Sequence, residues 1–307
     1  MAAPAAAETP ARVLMEARAP LRDWLKPIGR WGAILLLAGA FGFPLYWTVT
    51  MSFKPLDEWN PPGKVYWYPH NPTVSNFTDI LGIEQQSDVF FSGRSRSALT
   101  PIYHSLIAAS AGTALALLVG VFAAYGIARF RAGGRALPFQ ILQLRMFPPI
   151  AIIIPLLFMW VYLDMWDTLE GLVILYGAVT FPFVVWLVRS FFQEVPREVS
   201  EAAIVDGCTQ WGAFFKAVLP QVKGGLAATA LFVFILNWSD FLIALVMTQD
   251  NARTAPVYLQ SLQSGSSGQE YGKQAALAMI LILPPAVFGL AIQRYLVRGL
   301  TFGAIKR

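Results

Sequence analysis

The chain has 307 residues, of which 56% are hydrophobic and 13% are charged, and its formal net charge is +5. Because about a quarter of the residues in a soluble domain are charged, this composition excludes an ordinary soluble protein and indicates one that spans a membrane. The basic residues form no cluster with interleaved aromatic residues, which argues against nucleic-acid binding.

Six segments are long and apolar enough to cross a hydrocarbon core of about 30 Å as helices that rise about 1.5 Å per residue. They lie near residues 31–53, 102–128, 138–163, 169–192, 225–248 and 275–297. We therefore expect an all-α polytopic membrane protein with six transmembrane helices in a single domain, residues 31–307. Residues 1–30 are expected to be a partly disordered cytoplasmic extension, because their opening is rich in alanine and proline and has no hydrophobic period.

The distribution of lysine and arginine predicts the orientation, since positive charge is retained on the cytoplasmic side. Arg129, Arg131 and Arg135 follow the second predicted helix, whereas the connection between the third and fourth contains Asp164 and Asp167 and no basic residue. Both termini are therefore expected in the cytoplasm.

The longest outside loop is expected at residues 54–101, where prolines interrupt any helix and the aromatic residues Trp59, Tyr66, Trp67 and Tyr68 cluster. These aromatic side chains suit either a belt at the membrane interface or a platform for an extracytoplasmic partner.

No metal site or catalytic thiol is expected. His70 and His104 have no second ligand at a metal-like spacing, and Cys208 has no histidine near it in its segment.

The inside segment at residues 194–220 is predicted to form a helix, a turn and a second helix. Pro196 suits the first position of a helix that runs to about Asp206, and Gly207 permits a tightly bent backbone. An apolar stripe follows at helical spacing, formed by Trp211, Phe214, Phe215, Val218 and Leu219.

Two interpretations of this segment compete. The stripe alone is typical of an amphipathic helix in the membrane interface. The first helix favours a docking surface, because Ala202 and Ala203 leave room for a partner's backbone beside the charged Glu201 and Asp206.

The same segment resembles the EAA loop of binding-protein-dependent ABC importer permeases, a motif of E-A-A, three residues, G, nine residues and I-x-L-P. The fixed positions are met at 201–203, Gly207, Leu219 and Pro220, and Ala217 stands where the family has isoleucine. Residues 145–149, 237–241 and 299–304 are similar to carbohydrate-importer permeases of the type of the second permease subunit of the maltose importer.

This resemblance implies the type I importer permease fold, with the insert between the fourth and fifth helices, in a bacterial cytoplasmic (inner) membrane. The implied partners are a second permease subunit, two ATP-binding subunits, an extracytoplasmic solute-binding protein and membrane lipid. The implied substrate is a sugar, polyol or related carbohydrate. The residues implied to couple to the ATPase are Glu201, Ala202, Ala203, Asp206, Gly207, Leu219 and Pro220.

The chain is not expected to be an enzyme or to bind a cofactor. It contains no G-x-x-x-x-G-K-[ST] phosphate loop, so ATP and Mg²⁺ are expected in the separate ATPase subunits.

Four residues in the predicted membrane helices are candidates for the translocation path. Arg145 would either reach the headgroups with its long stem or line the path as a donor to substrate hydroxyls. Asn237 and Asp240 are about one helical turn apart and would share a face of the fifth helix. Trp238 cannot share that face, and either packs against other helices or stacks on a sugar ring.

The main alternative is an ion-coupled secondary transporter, for which Asp240 alone is the support. An intramembrane enzyme would need converging nucleophiles, acids or metal ligands, and the sequence does not provide them. The individual substrate is left open. A sugar phosphate or sulfonate would fit if Arg145 lines the cavity.

Overall fold

The computed structural model describes residues 21–59, 61, 63–83, 97–264 and 268–303. Residues 1–20 of the predicted N-terminal extension and the last residue of the 299–304 stretch lie outside this range. The first half of the chain contains α1 (Leu21–Ser52), α2 (Leu56–Trp59), α3 (Ser75–Leu81), α4 (Leu99–Phe130), α5 (Leu137–Gln143), α6 (Pro149–Tyr162) and α7 (Leu169–Glu194).

The second half begins with α8 (Arg197–Val205), α9 (Gln210–Ala213), a π-helical turn (Phe214–Val218) and a 3-10 turn (Leu219–Gln221). It continues with α10 (Lys223–Trp238), α11 (Leu242–Met247), α12 (Ala255–Ser261), the antiparallel strands β1 (Gln263–Ser264) and β2 (Gly268–Gln269), and α13 (Tyr271–Gly303). Apart from that short strand pair, the regular structure in the described ranges is helical, as the sequence predicted.

Four helical stretches of the described chain are long and apolar enough to cross a membrane: Arg30–Ser52, Leu99–Phe130, Leu169–Glu194 and Tyr271–Gln293. A fifth span results if the helices Gln210–Gln221 and Lys223–Trp238, which are bent by 74° relative to each other, are counted together. The apolar α6 is shorter. Length and composition therefore give four or five spans, where the sequence predicted six continuous helices.

Two of the predicted helices are interrupted, which corrects the continuous helices expected at 138–163 and 225–248. The first is non-helical at 144–148, before Pro149 opens α6, because proline has no N–H and disfavours helical backbone in the residue before it. The second stops at Trp238 and restarts at Leu242. The carboxylate of Asp240 accepts the Ala244 N–H at 3.1 Å there, as a helix cap does.

The outer helices are longer than predicted. The helix α1 begins at Leu21, within the predicted extension, and α13 runs from Tyr271 to Gly303.

Small residues on α4 let it pack closely along α7. A Cβ atom added to Gly112 would lie 2.7 Å from Cβ of Tyr176, and one added to Gly120 would lie 2.5 Å from a methyl carbon of Val184. Ala116, midway between the two glycines, is 1% exposed. Small residues four apart are typical of close helix contacts in membranes, and α4 and α7 form the centre of the bundle.

The loop after α1 is fixed by polar bonds as well as by packing. The Lys54 ammonium is buried, donates to the Tyr66 carbonyl and lies 4.4 Å from the Trp47 ring centroid. The buried Glu58 carboxylate accepts the N–H groups of His70 and Asn71 at 2.9 and 3.0 Å. This network holds the described part of the predicted outside loop against the end of α1.

The aromatic residues of that loop differ in their surroundings. Trp67 is 57% exposed and lies 6.1 Å, centroid to centroid, from Trp47 of α1. Tyr68 is 60% exposed and stacks on His70 at 4.9 Å. Trp59 donates its indole N–H to the Lys54 carbonyl.

Candidate functional site

The first helix of the EAA loop, residues 194–220, ends in a glycine turn. Gly207 has a φ of 89°, in the left-handed region that favours glycine. The Cys208 N–H donates to the Ala203 carbonyl at 2.9 Å, and the Gly207 N–H donates to the Ile204 carbonyl at 3.0 Å. This pair of bonds is the Schellman motif, which satisfies the last carbonyls of α8 and fixes where the helix ends.

One face of α8 packs on the protein and the other is open. Ser200 is buried and Val199 is half-buried against the core, whereas Glu201, Ala202, Asp206 and Gly207 are exposed and Ala203 is half-buried. The open face therefore combines small side chains with two carboxylates and has a backbone of fixed shape.

The second arm of the loop departs from the single helix that the sequence predicted. Thr209 caps α9, with its hydroxyl oxygen accepting the Gly212 N–H at 3.1 Å, and the chain then forms the π-helical and 3-10 turns. Pro220 has no N–H to donate to the Lys216 carbonyl, so an α-helical bond is missing where the wider turn occurs.

The apolar stripe is consequently divided. Phe214 and Val218 are 1% and 0% exposed and belong to the core. Trp211 and Phe215 are 64% and 50% exposed. Leu219 is half-buried beside the core and Pro220 is exposed. A change of helical pitch moves residues with the same spacing onto different faces, which the 3.6-residue period could not predict.

The buried part of the stripe fastens the loop to the bundle. The Phe214 ring lies 4.6 Å from the Tyr125 ring of α4 and 6.1 Å from the Phe192 ring of α7. Ala217, the departure from the family motif, is half-buried. Phe214 thus contacts both central helices and seats the loop on them.

Within the predicted membrane segments, the residues at the two helix interruptions, Arg145 and Asp240, each contact α7. Tyr176 donates its hydroxyl to the Asp240 carboxylate at 3.2 Å. The guanidinium of Arg145 lies 4.8 Å from the ring centroid of Phe183. Tyr176 and Phe183 are about two helical turns apart on α7 and so present both contacts on one side.

The other two candidates lie elsewhere. Asn237 is buried and donates its amide to the Thr113 hydroxyl of α4 at 3.2 Å. Trp238 is buried, donates to the Leu281 carbonyl of α13 at 3.1 Å and stacks on Phe234. The expectation that Asn237 and Asp240 share a helical face is corrected, because α10 ends at Trp238 and Asp240 lies beyond it.

Comparisons with known proteins identify the family of this chain. Residues 116–302 match the family described as binding-protein-dependent transport system inner membrane component. The chain belongs to this family.

Relatives of this permease include named sugar permeases. It is 34% identical over 274 residues to the trehalose transport system permease protein SugB of Mycobacterium tuberculosis, covering 88% of this chain and 94% of that protein. It is 30% identical over 283 residues to the sulfoquinovosyl glycerol transport system permease protein SmoH of Agrobacterium fabrum, covering 92% and 94%.

The fold is also that of a solved importer. A crystal structure of a bacterial ABC transporter involved in the import of the acidic polysaccharide alginate matches with a TM-score of 0.72 and 21% identity, over 89% of this chain and 97% of that one. The predicted resemblance to carbohydrate ABC importer permeases is confirmed.

A clamp at the other end of the permease was not predicted from the sequence. The Asp167 carboxylate accepts the backbone N–H groups of Gln249, Asp250, Asn251 and Ala252, at 2.6, 3.2, 3.1 and 3.2 Å. Burial opposes ionisation, but the four backbone donors outweigh it and hold the pKa of Asp167 below its usual value. The clamp ties the α6–α7 connection to the chain after α11.

Two further residues escaped the sequence interpretation. Tyr176, which positions Asp240, resembles any other aromatic residue of an apolar helix, and no local signal marks it. Val205 is 86% exposed at the end of α8, directly before the Schellman turn. An apolar residue so close to the predicted glycine turn is a sequence signal that could have indicated an exposed contact residue there. In the part of the permease that the structure describes, no three His, Cys, Asp or Glu residues are grouped to hold a metal.

Proposed function

We propose that this permease forms half of the translocation pathway of an ATP-driven importer for a sugar, polyol or related carbohydrate. The second half is a partner permease, two ATP-binding subunits lie in the cytoplasm, and a solute-binding protein delivers the substrate from outside. ATP and Mg²⁺ are bound by the ATP-binding subunits and not by this chain. The end that carries the EAA loop faces the cytoplasm, together with both termini.

The observation that carries the proposal is the open face of α8 in a chain of this family. Glu201, Ala202 and Asp206 are exposed, and the turn at Gly207 fixes their backbone before any partner arrives. A preorganised surface loses little conformational entropy on binding, so it suits a contact that must be kept while the partner moves.

We propose alternating access as the mechanism. Closure of the ATP-binding subunits displaces α8, and the aromatic contact of Phe214 with Tyr125 passes that displacement to α4. The cavity then opens outward for the solute, and hydrolysis returns it to the inward-open state.

The substrate class rests on the relatives, which are named for trehalose and for sulfoquinovosyl glycerol. Arg145 and Asp240 are the residues of the interrupted helices best placed to contact a polar solute, since they are half-buried whereas Asn237 and Trp238 are buried against α4 and α13. An anionic sugar derivative would be favoured by Arg145, and a neutral one by paired Arg145 and Asp240.

The test is purification of the tagged permease from membranes that contain its ATP-binding subunits. Ala202→Arg places a long charged side chain on the open face, and we expect it to abolish co-purification and substrate uptake. Ala132→Arg is the matched control, because Ala132 is also exposed, in the turn after α4, and lies outside the EAA loop. Uptake and co-purification by Ala202→Arg at the level of Ala132→Arg would contradict the proposal.

The same complex in vesicles separates the ion-coupled alternative. Uptake that requires ATP and persists with a protonophore supports the importer. Uptake that a protonophore abolishes while ATP is present would support a secondary transporter.

A further inference from the structure

Arg129 makes hydrogen bonds that a role as a positive charge on the cytoplasmic side does not explain. It lies in the last turn of α4, and its two terminal nitrogens donate to consecutive backbone carbonyls, to Val195 at 3.4 Å and to Pro196 at 3.2 Å. Val195 follows the last residue of α7 and Pro196 precedes the first residue of α8. The guanidinium therefore holds the junction through which the EAA loop leaves the bundle.

This junction needs such a donor. The backbone at Val195 and Pro196 is extended, with ψ of 119° and 146°, so helical bonding is interrupted there. Carbonyls at the end of a helix require partners from outside it. Arginine presents its donors in a fixed planar fork, which can bond two neighbouring oxygens at once.

Tyr125 lies one helical turn before Arg129 on the same face of α4. Its ring contacts Phe214 of the second arm at 4.6 Å and Phe192 of α7 at 5.3 Å. The last turns of α4 thus hold both arms of the EAA loop, the first arm through polar bonds from Arg129 and the second through aromatic packing on Tyr125.

We infer that Arg129 is a positioning residue for coupling: it fixes the Val195–Pro196 junction to α4, so that a displacement of α8 moves α4 and α7 together. Without it, α8 can pivot about the junction while the bundle stays in place. The inference rests on the proposed function, because it assigns the transmission of a movement that the ATP-binding subunits would supply. It adds a residue outside the EAA motif to the coupling machinery.

The test is the amount of substrate transported per ATP hydrolysed by the assembled importer in vesicles. For Arg129→Gln we expect normal co-purification of the ATP-binding subunits and continued ATP hydrolysis, with the transport-to-hydrolysis ratio lowered about tenfold, the effect of losing charge-assisted bonds. Arg129→Lys keeps the charge but has no fork, and we expect an intermediate ratio.

Arg135 supplies the matched control, because it is exposed near the same end of α4 and carries the same charge. Arg135→Gln and Arg135→Lys should leave the ratio unchanged. A ratio for Arg129→Gln equal to that of Arg135→Gln overturns the inference, even if thermal stability falls. If Arg129→Gln fails to assemble, Arg129→Lys decides: a ratio equal to that of Arg135→Lys overturns the inference, and a lowered ratio supports it.

Failure of this inference is distinguishable from failure of the proposed function. If Ala202→Arg blocks association with the ATP-binding subunits and the Arg129 variants couple normally, only the role of Arg129 is wrong. If Ala202→Arg leaves association and uptake intact, the coupling surface itself is wrong.

Discussion

The two ends of the permease are held together by different interactions. At the end opposite the EAA loop, the Asp167 carboxylate binds four consecutive backbone N–H groups and closes the connections around α6, α7 and α11. At the EAA end the loop is seated by aromatic packing around Phe214, while the carboxylates of Glu201 and Asp206 are exposed.

This difference supports the proposal that the EAA end receives a moving partner. The clamp satisfies its polar groups internally and needs no other chain. The EAA loop has a backbone fixed by the Schellman bonds but leaves one face of α8 open. Rigid local shape with an uncovered polar surface is the arrangement that binds with little entropic cost.

Removing the charge of the clamp should have the largest effect on stability. Asp167→Asn replaces one acceptor oxygen by an N–H₂ group that faces backbone donors, and we expect it to lower the free energy of unfolding by about 3 kcal/mol. Thermal unfolding of the purified permease in detergent measures this. Asp164→Asn is the control, since the φ of Asp164, 55°, is similar to that of Asp167 and its side chain is exposed. Equal unfolding temperatures for the two variants would contradict the stabilising role of the Asp167 clamp.

The stabilisation by Asp167 should depend on pH in one direction. Because its pKa in the folded protein is lowered, the stabilisation is present above the unfolded value of about 3.9 and is lost as the pH falls through the folded pKa. The difference in unfolding temperature between the permease and Asp167→Asn should therefore stay constant from neutral pH to about pH 5 and shrink only below about pH 4. A difference that already vanishes near neutral pH would show that Asp167 is not held ionised.

A side chain introduced at Gly207 should affect coupling more than stability. An added Cβ meets no atom within 4 Å, but a φ of 89° disfavours any side chain, so Gly207→Ala should cost about 1 kcal/mol locally and loosen the end of α8. We expect a several-fold decrease in ATP-dependent uptake. Gly134→Ala has the same kind of strain at a φ of 75° and open space, and should transport normally. An equal loss of uptake in Gly207→Ala and Gly134→Ala would show that the effect is not specific to the EAA loop.

Two matched helix caps provide the smallest test. The hydroxyl oxygen of Thr209 accepts the Gly212 N–H at the EAA end, and that of Thr168 accepts the Gly171 N–H beside the clamp, each at 3.1 Å. Replacing either by alanine should cost about 1 kcal/mol. Thr209→Ala should lower transport per ATP, whereas Thr168→Ala should lower only the unfolding temperature. The opposite result, in which Thr168→Ala lowers transport per ATP and Thr209→Ala lowers only the unfolding temperature, would contradict the proposed difference between the two ends.

Only the EAA end of this division could be predicted from the sequence, and the missing parts have physical reasons. Hydrophobic length located four of the apolar spans, and the EAA spacing located the exposed residues at Glu201 and Asp206. The interruptions near Pro149 and at Asp240 were missed because a hydrophobic run does not reveal a proline break or a side-chain cap within it.

Contacts between distant parts of the chain could not be predicted from the sequence. The bonds of Asp167 join it to residues 249–252, and those of Arg129 join it to Val195 and Pro196. Neither pairing has a local signal. Arg129 was interpreted only as a marker of the cytoplasmic side, because a sequence gives its charge and not its bonding partners.

Whether the α8 turn faces the cytoplasm and contacts the ATP-binding subunits can be tested directly with Cys208, the one cysteine of the chain, which lies half-buried next to Gly207 in the Schellman turn. A membrane-impermeant maleimide is applied to intact spheroplasts and to inverted vesicles, with and without the ATP-binding subunits. We expect labelling only in inverted vesicles and protection when those subunits are bound. Labelling from the outside, or labelling that the ATP-binding subunits leave unchanged, would contradict it.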